Sequence, residues 1–419
     1  MAGPRNALQQ LSRQQLAVLV PELLLAGHLI DRSGLPHVLL AFGADGMRDV
    51  AIEEWMGASP VYTKRMQRAL GFDGDDVTTV FKGLQLDIGA PPQFMDFRFT
   101  VHDRDHGEFQ LAHCGALMDV EPMGEEYVVR MCHDIEDPTF DATALATNPH
   151  AQIRPIHRPP RVPADRAPHC AWTVVIDESD EPAPYPAQAG VLAQTAAARC
   201  TAVSGIDHAE DGAGDYRGPL LADIAFADFS HSALVRIAEE VCLQGHLLTL
   251  SFVLALRARM DDGPAREIAR KQFTGIAGVA ADRIRAALDI PDDLAGAAQL
   301  LAIHPAVNPS GYVDIQIALH DDDLTVRLGR HSAADADGAW PALLDAQHLD
   351  PVQAILNAVN PRLRVAATAQ TDDVLELAVT VGDAAHADFG EVQMTRISTG
   401  AAFVFDDRGR GLPLTVLRT

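Results

Sequence analysis

Two stretches of this chain carry one pattern: FMDFRFTVHD, Phe94 to Asp103, and YVDIQIALHD, Tyr312 to Asp321, 218 residues further on. Both alternate apolar and polar residues over most of their length, which marks a strand with one buried face. Upstream, Gly27-His28-Leu29 stands 218 residues before Gly245-His246-Leu247, each inside a helical apolar pattern. Downstream, Asp137-Pro138 and Asn148-Pro149 are echoed by Asp350-Pro351 and Asn360-Pro361 at offsets of 213 and 212. Each Asn-Pro leads into an alternating run, QIRPI and then RLRVAAT, and each copy closes on an apolar strand, CAWTVVI at 170–176 and VLELAVTV at 374–381. The same order at a nearly constant offset is the signature of internal duplication.

Within the first copy the periodicity predicts helices over 12–31, 45–70 and 76–88, strands over 94–102 and 108–114, and a helix over 124–135 closed by Asp/Pro punctuation. Strands follow near 151–157 and 169–176. Helices followed by a mostly antiparallel sheet give an α+β fold: two tandem copies of a helices-plus-antiparallel-sheet domain, packed as a pseudo-dimer. The first copy then covers 1–177, an acidic Pro/Ala/Gly-rich linker 178–220, a degenerate second copy 221–390 and a C-terminal extension 391–419. The linker composition, with DESDEPAPYPAQAG and AEDGAGDYRGP, predicts an exposed connection.

The net charge of -25, from 33 basic against 58 acidic residues, argues against nucleic acid and against an anionic membrane surface. The apolar run Leu16 to Leu25 is broken by Pro21 and Glu22 and lacks a small-residue cleavage pattern, so it reads as an amphipathic helix rather than a signal peptide. No stretch approaches 18 uninterrupted apolar residues, and no membrane span is expected. Five cysteines without a signal peptide favour reduced thiols in the cytoplasm. The wealth of Ala, Asp and Arg is a compositional habit of GC-rich bacterial sources.

Three dipeptides hold the candidate chemistry: His113-Cys114, Cys132-His133 and His169-Cys170. The matching positions of the second copy fall near Arg330 to Ser332, Gln347 and Leu375, and none is cysteine. A set of thiols kept in one copy and lost from the other reads as a site. Cys114, Cys132 and Cys170 are candidate ligands of zinc or another transition metal, although no local C-x-x-C spacing is present. A second reading makes Cys132 a thiol nucleophile with His133 or His157 as proton carrier. Adjacent residues on a helix point about 100° apart, so a base must come through space, and His113, His157 and His169 are the alternatives. A third reading is three small buried apolar residues. Arg158 and Arg161, in the Pro-stiffened run IHRPPR, are candidates to grip a substrate carboxylate. His28 recurs as His246 and either faces a cavity or fills the core. Glu121, Glu125, Glu126 and Asp134 are read as a solvated acidic helix start. No phosphate loop, dinucleotide fingerprint, nucleophile elbow or metalloprotease helix is present.

The order Cys114, an acidic stretch, Cys132 in MCHDIED, Asn148-Pro149 with an alternating strand, then Cys170 beside an aromatic resembles the L-2-amino-thiazoline-4-carboxylic acid hydrolase-like proteins. These are similar in pattern to the vinyl-4-reductase type of small-molecule-binding domain. The resemblance covers about 80–177, with the upstream helices. It implies a thiol-lined pocket, with Cys114, Cys132 and Cys170 as the residues carried over, and hydrolytic opening of a cyclic C–N bond. The duplication departs from that single-domain pattern.

The expectation is therefore a hydrolase or lyase acting on a C–N or C–S bond of a small, heterocyclic substrate. A non-catalytic ligand- or metal-binding sensor or scaffold is the alternative. The partner is a small-molecule substrate or ligand, and a homo-oligomer is allowed.

Overall fold

The structure is a computed structural model describing residues 6–320, 323–398 and 400. Asp321 of the repeated strand and residues 399 and 401–419 of the C-terminal extension lie outside the described residues. The first copy opens with one helix, Arg13–Ala69, where two were expected. Ser12 starts it with a capping box shared with Gln15. Gly43 bends it at φ +72°, a backbone conformation that costs glycine little. The second copy breaks at the equivalent place, into helices His231–Arg257 and Asp262–Leu288.

Each copy then builds a four-stranded antiparallel sheet. β1 (Met95–Val101), β2 (His106–Cys114), β3 (Ala151–His157) and β4 (Cys170–Ile176) run in the order β1-β2-β4-β3. β5 (Ile315–Leu319), β6 (Leu324–Gly329), β7 (Leu363–Gln370) and β8 (Val374–Val381) run β5-β6-β8-β7. The two α+β units match in detail. The β3–β4 register shifts between Pro155 and His157, and the β7–β8 register between Ala367 and Ala369, 212 residues later. Asn148 donates to the Asp75 carbonyl and accepts from the His150 amide; Asn360 does the same with Asp292 and Arg362. Gly71 and Asp289, 218 apart, both take positive φ where the long helices stop.

The copies also meet reciprocally. A Cβ on Gly57 would lie 2.3 Å from the Ser251 hydroxyl, and one on Gly275 would lie 3.0 Å from Cβ of Ser33. Residue 57 matches 275 and residue 33 matches 251, so each contact is the other's image about a pseudo-twofold axis. The apolar core runs unbroken from Leu16 and Trp172 of one copy to Trp340 and Leu377 of the other.

The segment 178–220 is exposed over most of its length, as its composition suggests, and is tied to the two copies as a strap at a few points. Gln188 binds Ser251, the amides of Ala196 and Ala197 cap onto the Asp337 carboxylate, and Tyr216 is buried against Gln85. Its alanines let it lie close to both copies, which composition alone does not reveal. The Asp137-Pro138 pair does not stop the helix as expected: Pro138 is the third residue of helix Glu136–Leu145, directly after the π-helical turn Arg130–Ile135, where the regular amide-to-carbonyl ladder is already broken. Among the described residues one helix, His231–Arg257, is long and apolar enough to cross a membrane, and its apolar window is almost wholly buried inside the protein.

Candidate functional site

Cys114 closes β2, where its sulfur accepts from the Leu117 amide at 3.4 Å and its own amide donates to Nδ1 of His169 at 3.2 Å. Cys170 opens β4 opposite Leu111. Cys132 lies on a π-helical turn, Arg130–Ile135, that joins helix Glu125–Val129 to Glu136–Leu145. All three thiols are buried. Burial pushes the Cys114 thiol up to about 12 and raises Cys132 and Cys170 as well, with Glu136 adding to all three. Cys114 and Cys170 also act on Cys132. The fold thus brings the three thiols and Glu136 into one neighbourhood, and holds the sulfurs protonated at neutral pH.

The expected zinc or other transition metal on Cys114, Cys132 and Cys170 is corrected by the geometry. Among the described residues no group of three or more His, Cys, Asp or Glu side chains is placed to hold a metal ion. Ligation needs deprotonated sulfurs converging on one point, whereas these are neutral thiols packed into the apolar core.

The other expected site residues divide. Nε2 of His133 lies 2.7 Å from the Pro159 carbonyl, outside the thiol group. His157 sits on β3 at the bulge, and burial followed by Arg166 lowers its pKa. Arg158 pairs with Asp137 and lies over the Trp172 ring, 5.9 Å from its centroid. Arg161 forms a two-pronged pair with Glu121, both arms 2.7 Å. Both arginines therefore already hold carboxylates of the chain itself. Glu121 is consequently an ion-pair partner and not merely solvated surface.

Of the expected site residues, His28 lines a cavity. This cavity, of about 90 Å³, lies in the first copy between the long helix, the sheet and helix Glu136–Leu145. Its ionisable wall is His28, Asp31, Arg32, Tyr62, Asp87 and Glu136; Trp55, Phe97 and Phe140 supply the aromatic wall. None of the three thiols reaches it. Asp31 and Arg32 pair at 3.1 Å, Trp55 donates to Asp31 at 3.3 Å, and Arg32 also holds Asp119 at 3.4 Å. Asp87 accepts from the Tyr62 hydroxyl at 2.8 Å and from the Gly89 amide at 2.7 Å, and burial pushes it up to about 6. Burial, with Asp137 nearby, pushes Glu136 up to about 8, and its Oε2 has no hydrogen-bond partner. Burial, then Arg32, holds His28 well below its ordinary value, so the ring is neutral. Behind this wall Glu54 is wholly buried with both oxygens unbonded, and its pKa is well above the usual range.

This wall belongs to one copy. At the shared 218 offset, Asp31, Arg32 and Tyr62 become Thr249, Leu250 and Ala280, while His28 persists as His246. The sequence reading passed over Asp31 and Arg32, although they follow His28 at helical spacing on an otherwise apolar face. The comparison across copies that singled out the thiols would have found them too. Glu136 was hidden in an acidic run, and only the π turn before it gives it a direction. No family model, curated protein or solved structure matches this chain.

Proposed function

We propose that the chain is a small-molecule enzyme of hydrolytic or lyase type, acting on a C–N or C–S bond of a substrate held in the first-copy cavity. The observation that carries this reading is a pair of buried carboxyls on one cavity, Asp87 held by the Tyr62 hydroxyl and the Gly89 amide and Glu136 with one oxygen unbonded, so that burial raises Glu136, to about 8, above Asp87, at about 6. At neutral pH Glu136 is an acid and Asp87 a base, the division of labour that bond hydrolysis requires. Asp87 takes a proton from the attacking water, and Glu136 gives one to the departing nitrogen or sulfur. The resemblance to the L-2-amino-thiazoline-4-carboxylic acid hydrolase-like proteins points the same way, toward opening a small cyclic C–N substrate. The five free cysteines fit a reducing, cytoplasmic setting.

The test is incubation with 2-amino-thiazoline and related small cyclic amidines that carry no carboxylate, read by mass spectrometry as the gain of one water. Glu136→Gln and Asp87→Asn are each expected to lower turnover by about 10²- to 10⁴-fold, with Cys132→Ser close to wild type. Turnover that survives both carboxyl changes, or falls only with Cys132→Ser, overturns the assignment. A binding module without turnover is the second reading. The small size of the cavity favours it, since drug-sized pockets span about 300–1,000 Å³.

A further inference from the structure

The cavity wall is short of positive charge. Asp31 and Asp119 both face Arg32, so the one cation on this wall is already matched by two carboxylates. Neither Asp87 nor Glu136 forms a close ion pair among the described residues: Asp87 is met by hydroxyls and an amide, and Arg158, which pairs with Asp137, acts on Glu136 only from further off. Buried carboxyls without a counter-charge are costly, and proteins seldom keep them without a use. His28, 4% exposed and on the same wall, has no well-formed hydrogen bond at either ring nitrogen, the Ile88 backbone being the nearest polar group acting on it. Trp55, Phe97 and Phe140 add ring surfaces, which attract cations through their quadrupoles.

We infer that this cavity takes a small organic cation, a protonated amine or amidine, seated against Asp87 and Glu136 among the aromatic side chains. The inference rests on reading the cavity as the substrate site and names the charge of what enters it. An anion would meet the ionised Asp87, a second carboxyl in Glu136 and an arginine that is already engaged. A neutral His28 can accept a hydrogen bond from an N–H of the ligand, where a charged ring would repel it. Bound positive charge favours the ionised form of Glu136, so near neutral pH binding expels a proton.

Three near-isosteric probes separate the possibilities: acetamidinium, acetamide and acetate, titrated calorimetrically into the full chain. Acetamidinium is expected to bind, with acetamide and acetate weaker by about tenfold or more, the difference between hydrogen bonds to charged and to neutral groups. Repeating the titration in buffers of different ionisation enthalpy should show net proton release near neutral pH that fades above about pH 9, where Glu136 is already ionised. Glu136→Gln keeps the side-chain shape and should abolish the release while weakening acetamidinium about tenfold. Acetate or acetamide binding as tightly as acetamidinium, or acetamidinium failing to bind at any pH, overturns the inference. Acetamidinium binding without turnover of any ring substrate leaves this inference standing and removes the enzymatic reading. Turnover of an uncharged ring without acetamidinium binding does the reverse.

Discussion

The two copies share a frame and differ in what fills it. His28 packs on Phe94 with ring centroids 5.4 Å apart, and His246 packs on Tyr312 at 5.0 Å. The asparagine bridges and sheet bulges repeat as well. Asp31, Arg32 and Tyr62 do not repeat; the second copy closes the same space with Thr249, Leu250 and Ala280. Features present twice are those the fold requires. Features present once are free of that duty and are where chemistry belongs. Glu54 shows how subtle the boundary is. Held protonated, it is nearly the same shape as its counterpart Gln272, which is equally buried and equally unbonded. Both copies thus keep a neutral polar group at that point.

The comparison can be broken first in the copy assigned to scaffolding. Trp340→Ala removes a buried ring stacked on Phe273 at 5.3 Å and should cost about 3–5 kcal/mol in denaturant unfolding. Acetamidinium affinity of the folded protein should not change; a loss of binding would mean the second copy belongs to the site. Arg32→Leu, which imports the residue of the second copy, should cost about 3 kcal/mol because Asp31 is left buried without its partner. Adding Asp31→Thr should recover about 1–2 kcal/mol through the coupling of neighbours. Strict additivity in that cycle would show that the pair is not one unit.

Two groups, Glu136 in the first copy and His304 in the second, should act on opposite arms of the stability–pH curve. Glu136 is raised from 4.5 to about 8, so the native state binds more protons than the unfolded chain between those values. Its contribution to stability is complete below about pH 4.5 and is lost as pH rises through 8. His246 and His304 are depressed from 6.5 to about 4 by burial, so their contribution is present above 6.5 and is lost as pH falls through 4. Glu136→Gln should flatten the alkaline side of a stability–pH curve and His304→Asn the acid side. Slopes that fail to separate in this way would refute the assignment. The smallest effect is expected from Glu54→Gln, within about 0.5 kcal/mol at neutral pH, since one neutral group replaces another of the same shape. A large loss there would mean Glu54 is ionised.

Much of the frame was legible in the sequence because strand alternation and the Asn-Pro punctuation recur at fixed distance, and repetition averages out local ambiguity. The continuity of Arg13–Ala69 was not, since Gly43 reads as a stop and acts as a bend. The strap's points of contact were not legible, because alanine and proline suit both a loose connection and a close-packed one. Spacing singled out Cys114, Cys132 and Cys170, but ligation depends on distances and protonation that spacing does not encode. The cavity was missed because Asp31-Arg32 looks like helix surface until the sheet is laid over it.

The strap has a consequence for how the chain can be cut. Residues 177–182 are exposed, while beyond them the backbone is anchored first to Pro149 and then to Ser251 and Asp337. The halves on either side of that stretch remain joined by a shared core and by glycine contacts across the pseudo-twofold axis. A chain divided near 181 is thus already arranged as a complementing fragment pair. Neither piece carries its whole interior alone, and reassembly of the two can report on anything that favours the folded state.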